Sequence, residues 1–459
     1  MLEIKKGSWG KIFTGVLVFI FIFPLEESRE EEHNKVKNGY VEQIVYADWF
    51  GKECLRIDLY HTADAKSEVV GLDEIVVEPK WVGTTENLID PFDYGNYRFK
   101  VFDGKTKKLI YKRGFCTLLS EWRTTPESQY IKRTMGESLR MPLPLKPVIV
   151  VLEARGKNGE FHEIFHLGID PSSTLINRTE ALKKFEVISI MENDLPPSNR
   201  VDITILPEGY TKKHREKMIE DAKRFGRILF SSSPFSKWKE KFAINLVVAF
   251  SEETGSDEPR KGIFRDTVLD TSFNTFNAER YLTTANNKII REIGSYAPYD
   301  VVVIMVNSSR YGGGGIYNFW SIYTSDGEYS DYVALHEFGH LFAGLGDEYF
   351  SSGGGYDEDE FYPPGVEPWE PNLSAFLGKK REGIKWKDMI LPDVPLPTPP
   401  SEEWKGKVGL FEGAGYKSKG LYRGFFDCRM FHKGSVPFCP VCEKAIEKMI
   451  QYYTGKINP

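Results

Sequence analysis

The residues best suited to chemistry are His336, Glu337 and His340, in the run His336-Glu337-Phe338-Gly339-His340. Imidazoles spaced i, i+4 share one face of a helix, and a rise of about 1.5 Å per residue sets them about 6 Å apart along its axis. Both can bend onto one Zn²⁺ at about 2.0–2.1 Å. Glu337 follows the first imidazole directly and can reach a metal-bound water as general base. Zinc draws the pKa of that water toward about 7, and the carboxylate can then carry its proton to a leaving amine. The chemistry implied is hydrolysis. A third ligand is required, and Asp347, three residues beyond the helix-ending Gly344, is the preferred candidate, with Glu348 as its competitor. Whichever of the two is not a ligand is expected to be a surface acid.

These side chains need a helix to hold them. Ser330 suits an N-cap, Tyr332 to Ala343 repeats apolar residues at helical spacing, and Gly344 suits the C′ position. A second match, His162-Glu163-Ile164-Phe165-His166, lies among Gly156, Gly159, Gly168 and Pro171, which leave no room for such a helix. It reads as a strand, where four residues span about 13 Å, too far for one ion. The glycine run Tyr311 to Asn318 lets a substrate backbone approach, so Gly314, Gly315, Ile316 and Tyr317 are predicted to hold an extended peptide by strand pairing; a plain turn is the alternative. Tyr422 and His432 are candidates to stabilise a tetrahedral oxyanion, against a packing or surface role. Asp357 to Glu360 offers carboxylates for Ca²⁺, although a solvated loop is the plainer reading.

With 41% hydrophobic and 27% charged residues the chain has ample material for packed cores. Its 60 Lys and Arg against 66 Asp and Glu give a net charge of −6, which argues against a nucleic-acid partner. No apolar tract is long enough to span a bilayer. Lys5, Lys6 and Lys11 precede the apolar run Ile12 to Phe23, so residues 1–25 read as an export signal, either cleaved or kept as an N-terminal anchor. From 39 to 195, short alternating runs with turns at Asp103-Gly104 and Asn158-Gly159 predict an antiparallel β-sandwich. From 199 to 459 strand and helix alternate, which predicts an α/β domain; the polar, proline-bearing stretch Asn193 to Asn199 marks the boundary. Cys428, Cys439 and Cys442 provide only three thiols for a second zinc site. In an exported chain the expectation is a disulfide of Cys428 with Cys439 or Cys442, and a Cys54–Cys116 pair or two free buried thiols.

The stretch His336 to Phe350, H-E-F-G-H-L-F-A-G-L-G-D-E-Y-F, resembles the immunoglobulin A peptidase family of secreted zinc metallopeptidases, which are metzincin-like. Val201 to Thr211, Pro234 to Phe242, Ser251 to Asp257, Tyr311 to Asn318 and Asp427 to Met430 look like further blocks of that family, and Leu55 to Thr62 with Asp170 to Ser173 look like its accompanying β-sandwich. The resemblance implies a zincin-type catalytic domain with His336, His340 and Asp347 as zinc ligands, Glu337 as base and Met430 as the Met-turn beneath the metal. It also implies a protein or glycoprotein substrate. The metzincin spacing is broken by one extra residue before Gly344, and Asp347 stands where a third histidine is usual. A secreted zinc endopeptidase is therefore expected. The rival is a surface module binding glycan or protein with a structural or vestigial zinc site, which leaves Glu337 without a purpose.

Overall fold

The computed structural model describes residues 44–179, 185–350, 357–455 and 457; the candidate export signal lies outside them. In the N-terminal region, alternating apolar residues build two antiparallel sheets. One has the order β2 (Glu68–Glu78), β1 (Phe50–Ala63), β5 (Arg133–Pro144). The other has the order β4 (Leu109–Phe115), β3 (Tyr97–Asp103), β6 (Val148–Arg155), β7 (Phe161–Ile169). Their inward rows, among them Leu55, Ile57, Phe99, Val101, Leu139, Val150 and Leu152, meet in one apolar core.

Arg56 and Asp58, on the opposite face of β1, are buried as well. Arg56 pairs with Asp58 and Glu78 at 3.0 and 3.1 Å, and Arg140 on β5 pairs with Glu78 at 2.9 Å. Arg140 also donates to Tyr299 O, and Ser138 beside it accepts from Asn287 Nδ2. These side chains form an ionic layer against the second half of the chain.

That half is built on a six-stranded mixed sheet. Its order is β12 (Gly313–Ile316), β13 (Trp320–Thr324), β11 (Val301–Val306), β9 (Val201–Glu208), β10 (Phe242–Val248), β8 (Glu186–Met191). The inner four strands run parallel, and β12 and β8 are antiparallel edges. Every residue of β9 and β11 is buried, as expected for parallel strands covered on both faces. The helix Arg215–Ser231 contributes Met218, Ala222, Phe225 and Leu229 to the same core as Phe338 and Phe342 of the helix Ser330–Ala343. A small sheet of β14 (Leu373–Ser374), β16 (Lys417–Arg423) and β15 (Phe411–Ala414) follows.

Several expectations are corrected. β8 hydrogen-bonds to β10, so residues before 195 already belong to the mixed sheet; as an edge strand it carries no continuous apolar run to announce this. The helix starts at Ser330 with Tyr329 in the cap position, and the Ser330 amide bonds to Gly327 O of the preceding turn. All five cysteines are free thiols. Cys54 sits beside Arg140 and Glu78, whereas Cys116 Sγ accepts the Asn96 amide at 3.3 Å. Cys428 and Cys442 sulfurs stand 3.7 Å apart, against about 2.0 Å in a disulfide. Asp357 caps a short helix, while Asp359 and Glu360 pair with Lys417 and Lys157, so this run does not gather its carboxylates around a Ca²⁺ position.

Candidate metal centre

The helix Ser330–Ala343 is apolar nearly all round and is buried accordingly. It ends at Gly344, whose φ of 63° is left-handed; a Cβ there would meet the Trp369 ring at 2.8 Å. The reversal returns Leu345 O to accept from His340 Nδ1 and brings Asp347 back over the imidazoles.

His336 Nε2 and His340 Nε2 lie 3.2 Å apart, and Asp347 Oδ1 is 3.1 Å from the first and 3.4 Å from the second. A tetrahedral Zn²⁺ with bonds of about 2.0–2.1 Å requires ligand–ligand edges of about 3.3 Å. The three atoms therefore fit one face of such a tetrahedron. His336 Nδ1 faces Arg429 O and the Tyr332 hydroxyl, both at 3.2 Å. Carbonyl acceptors at both Nδ1 atoms leave the Nε2 lone pairs directed at the shared centre. Asp347 Oδ1 is buried without a hydrogen-bond donor, and Oδ2 accepts from Tyr349 and Tyr416 at 2.9 and 2.6 Å. Electrostatics agree with the geometry. Burial opposes charge on His340, yet the neighbouring Asp347 carboxylate outweighs it and lifts the pKa to about 9. Asp347, although buried, is held well below the usual carboxylate range by the imidazoles. The centre calls for positive charge.

Glu337 reaches the cleft beside this cluster, its carboxyl pushed up by burial, with the two histidines opposing the shift. Met430 is fully buried beneath the helix: a Cβ on Gly339 would lie 3.3 Å from its Sδ. The preceding Arg429 supplies the carbonyl facing His336, and Met430 O accepts from the Glu348 amide at 2.8 Å.

The glycine strand has a different reason from the one expected. A Cβ on Gly313 or Gly315 would strike Val333 or the Glu337 carbonyl at 2.5 and 2.3 Å, and one on Gly314 would strike the Tyr281 ring at 2.7 Å. The glycines let β12 lie directly on the helix at Glu337. Nor is the edge open along its length, because Gly313 O and Tyr317 O already accept from the amides of Leu282 and Cys116. The side chains of Ile316 and Tyr317 belong to the core. By the two-residue repeat of a strand, Gly315, midway between Gly313 and Tyr317, is the position whose backbone groups also turn outward.

Neither Tyr422 nor His432 lines the cleft. Tyr422 packs on Phe376 in the small sheet, and His432 pairs with Asp427 at 2.7 Å. Glu348, expected at the surface if not a ligand, is wholly buried facing the thiols of Cys428, Cys439 and Cys442. The second His-Glu motif lies on β7, with His166 bonded to Glu163. Arg280, Tyr311 and Tyr416 also line the cleft at the candidate metal centre; Arg280 and Tyr416 carry no spacing signal in the sequence, and Tyr311 stands out there only as the start of the glycine run, with no role of its own. Tyr349, two residues after Asp347, was the one within reach.

The cleft holds about 770 Å³ and is lined from both halves of the chain. Arg155 and His162 face it from the N-terminal sheets, and Tyr311, Glu337 and Trp369 from the other side. Searching the curated proteins returns no match. Among family models, the one described as Peptidase M64 N-terminus matches residues 45–166, and the one described as IgA Peptidase M64 matches 188–407 and 400–450.

Proposed function

The chain belongs to the IgA peptidase M64 family, with its N-terminal domain and its peptidase domain both present, and from that premise we propose that it is a zinc-dependent endopeptidase cleaving within protein chains. The observation that carries the reading is the His336–His340–Asp347 triangle, whose edges suit one tetrahedral ion and which lines the cleft together with Glu337. When bound there, zinc supplies Lewis acidity to the scissile carbonyl and to water.

The chain's own groups do the rest. Glu337 takes the proton from the attacking water and passes it to the leaving nitrogen; a buried carboxyl with a raised pKa suits both the acceptance and the return. Tyr311, whose hydroxyl is pushed up by burial and by Glu337, is assigned to donate to the carbonyl oxygen as negative charge develops. Tyr349 and Tyr416 hold the Asp347 carboxylate in place. Gly315 offers its backbone to an extended substrate, and the N-terminal domain supplies the opposite wall of the cleft, which sets subsite preference. In this reading the accessory domain is a β-sandwich, the catalytic domain is zincin-type, and residues 1–25 direct export of the protein.

The test is digestion of a peptide library by wild type and Glu337→Ala, with zinc measured in both. Cleavage by wild type alone at equal zinc content is the expected result, and equal cleavage by both ends the assignment.

A further inference from the structure

On the far side of the Asp347–Glu348 peptide a second set of ligand-type side chains converges. Glu348, Cys428, Cys439 and Cys442 each direct one donor atom so that all four atoms lie within 4.8 Å of one another. We propose that these four residues form a second, structural zinc site, closed to substrate and distinct from the cluster at the cleft.

The distances favour a shared ion over thiol pairing. Cys428 and Cys442 sulfurs are 3.7 Å apart, and Glu348 Oε1 stands 3.2 and 4.0 Å from the sulfurs of Cys442 and Cys439. Zn²⁺ bonds of about 2.3 Å to sulfur and about 2.0 Å to oxygen require edges of about 3.8 Å between sulfurs and about 3.5 Å between sulfur and oxygen. All four residues are at most 2% exposed. Glu348 Oε2 is buried without a hydrogen-bond partner, and a carboxylate in that position is costly unless a proton or a cation neutralises it.

The surrounding backbone is arranged for thiolates. Cys428 Sγ accepts the amides of Cys439 and Met430 at 3.2 and 3.5 Å. Cys439 occupies the N-cap of the helix Pro440–Thr454 and Cys442 lies in its first turn, where the helix end favours negative charge. Loading would release the thiol protons to solvent, as for other thiolate zinc sites. None of the four residues lines the cleft. Four protein ligands with no open position make a structural site, not a catalytic one. Its ligands come from the loop after Gly344, the turn at Met430 and the C-terminal helix, so the ion would pin together the segments that hold Asp347 and Met430.

The experiment measures metal in the full chain after gel filtration, and it does not involve cleavage, so its outcome is separate from the peptidase reading. Wild type is expected to hold two zinc equivalents and His336→Ala/His340→Ala one, which disappears when Cys439→Ser is added. Because the cysteine variant risks misfolding, Co²⁺ is also loaded into wild type and into His336→Ala/His340→Ala, where a thiolate-to-cobalt charge-transfer band is expected in the near ultraviolet. A folded His336→Ala/His340→Ala protein without zinc, a cobalt spectrum lacking that band, or a disulfide mapped between any two of the three cysteines would overturn the proposal.

Discussion

Asp347 and Glu348 are adjacent in the chain and face opposite ways: Asp347 Oδ1 lies 3.1 Å from His336 Nε2, while Glu348 Oε1 lies 3.2 Å from Cys442 Sγ. One peptide unit therefore joins the cleft cluster to the buried thiols, and the Glu348 amide bonds to Met430 O between them. Neither acid can replace the other without turning its carboxylate away from its own cluster.

Tyr311→Phe removes a hydroxyl at the cleft and little else. As the donor to the developing oxyanion it should lower kcat by about 10²-fold or more while zinc content and KM change little. Steady-state kinetics with metal analysis checks this, and an unchanged kcat would remove Tyr311 from the mechanism.

Gly315→Ala places a methyl 2.3 Å from the Glu337 carbonyl, against backbone that cannot swing aside. Overpacking of this kind costs on the order of 1–3 kcal/mol, and it should displace Glu337 as well. The expected result is a lower melting temperature together with loss of activity at retained zinc. An alanine variant as stable and active as wild type would mean that β12 does not press on the helix.

In the ionic layer, Arg56, Asp58 and Glu78 are buried and Arg140 nearly so, and taking away Arg140 leaves the buried Glu78 short of a partner. Arg140→Met is predicted to destabilise by about 3–5 kcal/mol in urea unfolding, even though methionine is no less apolar than the stem it replaces. A loss below about 1 kcal/mol, the scale of an exposed pair, would contradict burial of this layer.

His61 is fully buried between Glu137 and Glu68, at 3.1 and 3.0 Å. Burial opposes its charge, but the two carboxylates prevail and raise its pKa from 6.5 to about 9. Because the folded pKa is the higher one, the stability it contributes is complete below about pH 6.5 and is lost as pH rises through about 9. Glu68, although burial works against it, is lowered to about 2 by His61 and Arg123, so its share is present above about 4.5 and lost as pH falls through about 2. Thermal unfolding followed across this range should show a decline above about pH 7, and the decline should shrink in His61→Gln. An identical alkaline slope in that variant would assign the loss to other groups.

The convergence of His336 and His340 was legible because helical geometry alone decides it: residues four apart on one helix face meet whatever surrounds them. The same local rule told the two His-Glu motifs apart, since the glycines and proline around His162 exclude a helix. Asp347 followed from a glycine-terminated helix and a short reversal, again within a few residues of chain. Beyond that distance legibility fell. The ionic layer on β1 carried no signal in the sequence, because charged residues at alternate positions read the same whether water or another part of the protein lies opposite. The glycines of β12 suggested freedom for a substrate, although what they make room for is the chain's own helix.

Local spacing thus determined which side chains could bind a metal and which carboxylate could serve as base, because those relationships are fixed by the 3.6-residue turn. Tertiary packing decided what no spacing contains. It put Tyr311 and Arg280 in the cleft and the N-terminal domain along its wall, and it turned Glu348 inward to meet three cysteines about eighty or more residues away. Such contacts depend on how the whole chain packs its buried polar groups beside one another, a condition on the whole fold and not on any single segment.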